Sequence, residues 1–234
     1  MNSIASAFAK PFRLIGNGSF PRRVAGGVSQ PPWSWRAGAL AVLVSFVGYW
    51  GLQELLDPVW KLRQSGPLFP ALVCSIPMLC CLRYLARRAG TTVEKVFGLR
   101  GARLGRVLVS GMFLFVLEAL LMGATWAVVS RLGFEAKPET ARDSSVFLIL
   151  DMTVWAPLCE ELSFRGLLYT SLRTRLGVAS SVVITAGAFA LAHTPISFHK
   201  VGVLFADALL SSLWYERTRS LWPNIISHSL NNLL

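Results

Sequence analysis

Two adjacent carboxylates and an arginine lie inside one strongly apolar stretch, in the run Pro157-Leu158-Cys159-Glu160-Glu161-Leu162-Ser163-Phe164-Arg165-Gly166. An ionised side chain at the middle of a bilayer costs roughly 2.5–3.5 kcal/mol on insertion scales, so charges retained there face the protein interior and mark function. The constraint applies to the whole chain. Of its 234 residues 53% are hydrophobic and 15% charged, against about 25% charged residues in soluble domains. The composition reads as an all-α polytopic membrane protein.

The net charge of +11 does not point to nucleic acid, because the basic residues lie between apolar blocks and form no contiguous patch. Cys74, Cys80 and Cys81 fall in one apolar block and Cys159 precedes the acidic pair. They show no CxxC spacing and are assigned to packing. Residues 1–37 carry Lys10, Arg13, Arg22, Arg23 and Arg36 and no acid. They read as a flexible basic arm, cytoplasmic in the favoured reading and an organelle targeting segment in the other. Residues 38–234 read as one integral-membrane domain.

About seven apolar stretches are candidates for membrane helices, at about 38–56, 67–87, 107–130, 144–164, 178–194, 200–216 and 221–234, on the rule of roughly 20 apolar residues per span. Arginine and lysine concentrate in alternate connections, which predicts a cytoplasmic N-terminus and an outside C-terminus. The most basic link holds Arg83, Arg87, Arg88, Lys95, Arg100, Arg103 and Arg106 against Glu94. Within it Thr91-Thr92-Val93-Glu94 has capping-box spacing and predicts a short interfacial helix.

Adjacent helical residues point about 100° apart, so Glu160 and Glu161 cannot serve one purpose. Arg165 follows Glu161 by four residues on the same face, which suits an ion pair and leaves Glu160 for a cavity. The alternative is a buried charge network that only fixes helix packing. His193 ends the fifth stretch with Phe189 one turn below it, and His228 and Asn232 share a face of the last stretch while Asn231 points elsewhere. A free carboxylate, two histidines and a carboxamide can activate water and stabilise an oxyanion, as amide hydrolysis requires. Glu118, Asp151 and Asp207 are further intramembrane acids, each expected to line the cavity or pair with a nearby arginine or histidine.

The EExxxR run at Glu160, Glu161 and Arg165, the FxxxH at Phe189 and His193, and the HxxxN at His228 and Asn232 resemble, in order and spacing, the CAAX-protease and bacteriocin-processing family. These are intramembrane endopeptidases related to the type II CAAX prenyl protease. The resemblance covers a motif-bearing core at 144–234. It implies a helical membrane bundle around a polar catalytic cavity, with water activated by Glu160 and His193. It further implies an oxyanion hole from His228 and Asn232, and support from Glu161, Arg165 and Phe189. The chain ends two residues after Asn232, so the last helix is expected to be short, and fraying of its end would disturb the oxyanion donors.

No cofactor is expected. Zinc is the alternative, with Glu160, His193 and His228 as its ligands and an open fourth position, but Asn232 is a poor zinc ligand and a good oxyanion donor. The expected partners are the bilayer and a membrane-associated protein or peptide substrate, and the expected location is the bacterial inner membrane, with an organelle membrane as the alternative. A non-proteolytic scaffold or immunity-type factor retaining the same cavity is the competing function. A transporter would need inverted repeats or matched broken helices, and neither is present.

Overall fold

In a bilayer each backbone N–H and C=O must find its partner within the chain, so apolar stretches of this length become helices. The computed structural model describes residues 33–60, 72–73, 75–100, 103–133, 146–193 and 198–233, and it contains helices and no strand among them. They are α1 (Trp35–Trp60), α2 (Ile76–Arg88), α3 (Val93–Val96), α4 (Leu104–Arg131), α5, α6 (Val178–Ala192), α7 (Phe198–Thr218) and α8 (Trp222–Asn231). Helix α5 changes pitch along its length. Ordinary α-helical turns at Val146–Leu150, Ala156–Glu161 and Thr170–Leu172 alternate with wide π-helical turns at Asp151–Trp155 and Leu162–Tyr169.

Each of the seven apolar stretches holds one of the longer helices. Among the described residues only α4, with 28 residues, is both long and apolar enough to cross a membrane by length and composition, while Trp35–Tyr49 and Val178–Ala192 are shorter apolar helices. The reason is local: α7 carries Lys200, Asp207, Glu216 and Arg217, and α8 has 10 residues. Most of the arm at 1–37, most of the link at 57–66, most of the link at 131–143, and Cys74 lie outside the described residues. The interfacial helix is present as α3, but its N-cap is Thr92, whose backbone is extended and whose side chain makes no cap hydrogen bond. The predicted capping box is therefore not formed, since with Thr92 as N-cap the third helical residue is Lys95.

Helices α4, α7 and α8 pack together, α6 packs on α7, and α1 pairs with α2. Helix α5 lies among α1, α6 and α8. Gly111 lets α4 and α8 close, since a Cβ there would stand 2.8 Å from Cγ2 of Ile226. Glu118 of α4, 1% exposed, accepts from Ser211 Oγ of α7 at 2.6 Å, from Ser227 Oγ of α8, and from Asn231 Nδ2 of α8 at 3.0 Å. A buried acceptor satisfied by donors on two other helices fixes their register. Near the C-terminus of α7, Glu216 takes the Tyr169 hydroxyl at 2.5 Å and pairs with Arg173 at 3.1 Å and Arg219 at 2.7 Å, tying α5 to the α7–α8 corner.

That corner is held from outside by the loop after α3. The Leu221 N–H bonds Phe97 O at 3.1 Å, Ser220 Oγ bonds Gly98 O at 2.9 Å, and Trp222 Nε1 bonds Leu99 O at 2.9 Å. Gly98 has φ +65, and a Cβ on it would lie 2.1 Å from Arg219 O. We expect Gly98→Ala to destabilise the protein by about 1–2 kcal/mol from the left-handed backbone alone and further through the clash. In detergent this reads as a melting temperature lowered by about 2–8 °C or more, and an unchanged melting curve would refute the clamp.

Candidate active site

The short α-helical segment Ala156–Glu161 presents the two acids in different directions. Glu161 is dry, with a side chain 1% exposed, whereas that of Glu160 is 28% exposed. Arg165 Nη1 donates to Glu161 Oε1 at 2.8 Å, and both side chains are buried. The arginine's Cζ stands 4.7 Å over the ring of Phe189, so the cation meets a carboxylate at its tip and a π-face at its flank. The same Glu161 Oε1 faces His228 Nδ1 at 3.2 Å. That contact, between residues 67 apart in sequence, was not legible in the motif spacing.

His193 follows the last residue of α6. Its Nδ1 meets the Phe189 carbonyl at 2.8 Å, which as an acceptor only takes a proton on Nδ1 and turns the Nε2 lone pair outward. His193 Nε2 lies 3.5 Å and His228 Nε2 3.7 Å from one atom, Glu160 Oε2. Phe189 packs between them, with ring centroids 4.6 Å from His193, 6.0 Å from His228 and 5.0 Å from Phe164.

Asn232 sits at the C-terminal cap of α8. Its Nδ2 donates to the Met152 carbonyl at 2.8 Å, its backbone N–H bonds His228 O at 3.0 Å, and the Leu233 N–H bonds Leu230 O at 3.1 Å. The last helix is short, as expected, and its hydrogen bonds continue to Leu233. One amide proton of Asn232 is used on the wide turn Asp151–Trp155, and the other is available. The structure thus gathers Glu160, His193, His228, Glu161, Arg165 and Phe189 into one cluster and anchors Asn232 to α5 beside it. Asn231 does point elsewhere, to Glu118.

Glu160 and His193 open into a cavity of about 350 Å³ that α1, α2, α5 and α6 enclose. Asp151 lines it as well, whereas Glu118 does not and pairs with neither arginine nor histidine, as was expected of it. Asp207 lies within electrostatic reach of Arg165 and His228. Cys159 borders the cavity, and its thiol donates to Ser75 Oγ at 3.3 Å. Among the described residues no group of three histidine, cysteine, aspartate or glutamate side chains is arranged to hold a metal ion.

A family model described as type II CAAX prenyl endopeptidase Rce1-like matches residues 142–234. The resemblance read from the three motifs is to this family. The matched segment contains α5 to α8 and with them Glu160, Glu161, Arg165, Phe189, His193, His228 and Asn232. No curated protein and no solved structure matches the chain.

Removing Arg165 would leave Glu161 buried with only His228 beside it, and breaking a buried pair in this way costs about 3–5 kcal/mol. We expect Arg165→Ala to melt well below wild type in detergent while Glu160→Gln, at the cavity wall, stays within a few degrees of it. Equal losses would show that the two acids are not divided as described.

Proposed function

We propose that the chain is an intramembrane endopeptidase that hydrolyses a peptide bond of a membrane-associated protein or peptide. The observation that carries this reading is the approach of two imidazole Nε2 atoms, at 3.5 and 3.7 Å, to one oxygen of Glu160 at the wall of a cavity. It lies within the segment that matches the Rce1-like family.

A water between Glu160 Oε2 and His193 Nε2 gives one proton to each acceptor and turns a lone pair toward a bound carbonyl. Glu160 acts as the general base when the oxygen attacks, and the proton it gains is passed to the leaving amine. His193 orients the water because Phe189 O fixes its ring. With its Nδ1–H bound to Glu161, His228 donates from Nε2 in the doubly protonated ring, and this donor with the second amide proton of Asn232 meets the developing oxyanion. Glu161, Arg165 and Phe189 support the set. In the same reading residues 38–234 form a multi-pass domain of a cell membrane with the basic arm on the cytoplasmic side.

The test is cleavage of a membrane-tethered peptide library by the purified, detergent-solubilised chain. Glu160→Ala and His193→Ala are expected to lower kcat/KM by about 10²–10⁴, and Asn232→Ala by about 10²–10³. Activity is expected to persist in 1,10-phenanthroline, and its loss there would instead assign zinc to Glu160, His193 and His228. A folded wild type that cleaves nothing, with Glu160→Ala still functional in cells, would replace the protease with a scaffold or immunity-type factor.

A further inference from the structure

The cavity in front of Glu160 has walls of two kinds. Phe46, Met78, Trp155 and Phe164 make it largely apolar. Three of these are held by a neighbour: the Trp155 indole N–H donates to Ser75 Oγ at 3.1 Å, and Phe46 meets Phe164 edge to face at 5.4 Å. Against this stands a second acid, Asp151, whose Oδ1 is buried and makes no hydrogen bond. No lysine or arginine lines the cavity among the described residues. Arg165, the cation behind the site, is fully buried with Nη1 on Glu161.

An apolar slot with one unpartnered carboxylate selects by charge. A substrate carboxylate entering it would meet Asp151 and Glu160 with no lysine or arginine on the cavity wall, among the described residues, to offset its loss of hydration. A lysine or arginine side chain suits it, because its aliphatic stem lies along apolar walls while the charged head reaches the acid, and an aromatic face adds attraction to the cation. We propose that the cavity is a specificity pocket for a basic side chain of the substrate close to the scissile bond, and that Asp151 is the residue that reads the charge. This rests on the protease reading and adds a substrate class to it: membrane-tethered peptides carrying lysine or arginine, and not glutamate or aspartate, beside the cleaved bond.

The experiment uses the full chain in detergent and tethered peptides that differ at a single position near the scissile bond, as lysine, glutamine or glutamate. Cleavage is measured for each, and binding is measured in parallel with the scissile amide replaced by an uncleavable reduced bond. Wild type is expected to prefer lysine to glutamate by at least tenfold in kcat/KM and in Kd. Asp151→Asn should bring the preference below threefold, and Asp151→Lys should reverse it, a result that misfolding cannot produce. Charge-selective binding without turnover supports the pocket and removes the protease. Turnover with no charge preference, or a preference unchanged in Asp151→Asn, overturns the pocket alone, and neither binding nor turnover overturns both.

Discussion

The structure around the cavity depends on one buried acceptor. Glu161 Oε1 receives Arg165 at 2.8 Å from one side and faces His228 at 3.2 Å on the other. Two of the three groups come from α5 and the third from α8, while the arginine stacks on Phe189 of α6. A carboxylate withdrawn from water is stable only when its neighbours replace the water's hydrogen bonds. Three helices that pack at this point are therefore held in one register by the requirement that one charge be satisfied. The position of His228 relative to Glu160 follows from that requirement.

The pitch of α5 is the second determinant. The wide turns Asp151–Trp155 and Leu162–Tyr169 flank the short segment that carries Glu160 and Glu161. A turn closed by i→i+5 bonds disturbs the regular ladder of carbonyl acceptors, and such bulges gather at functional sites. Here the first wide turn supplies the Met152 carbonyl that Asn232 binds at 2.8 Å. The helix that carries the proposed base thereby also anchors the end of α8, and the three motifs meet through backbone as well as side chains.

Much of this was legible in the sequence. The four-residue spacings from Glu161 to Arg165 and from Phe189 to His193 are local, and helical periodicity alone brings those pairs together. The contacts that join the motifs are not local: His228 to Glu161, Asn232 to Met152, and Glu118 to Ser211, Ser227 and Asn231. No spacing rule predicts them, because they depend on how α4, α7 and α8 cross. The wide turns were also hidden, since a 3.6-residue reading fits a stretch of mixed pitch nearly as well. Hydropathy located helical stretches correctly but could not count spans, because α7 interrupts its apolar run with Lys200, Asp207, Glu216 and Arg217 and α8 has only 10 residues.

The adjacent pair Glu160 and Glu161 shows why a cavity of this kind uses two acids where one would seem enough. A single carboxylate cannot both be held at one oxygen by a guanidinium and an imidazole, which fix it, and turn that same oxygen to take a proton from water. Neighbouring positions on a helix point about 100° apart, so two consecutive acids reach opposite environments at the cost of one residue of chain. Glu161 points into dry protein and meets Arg165, and Glu160 points to the cavity and meets the outward faces of two histidines. The first holds the backbone that aims the second, so the proposed base is oriented without being neutralised by its own support.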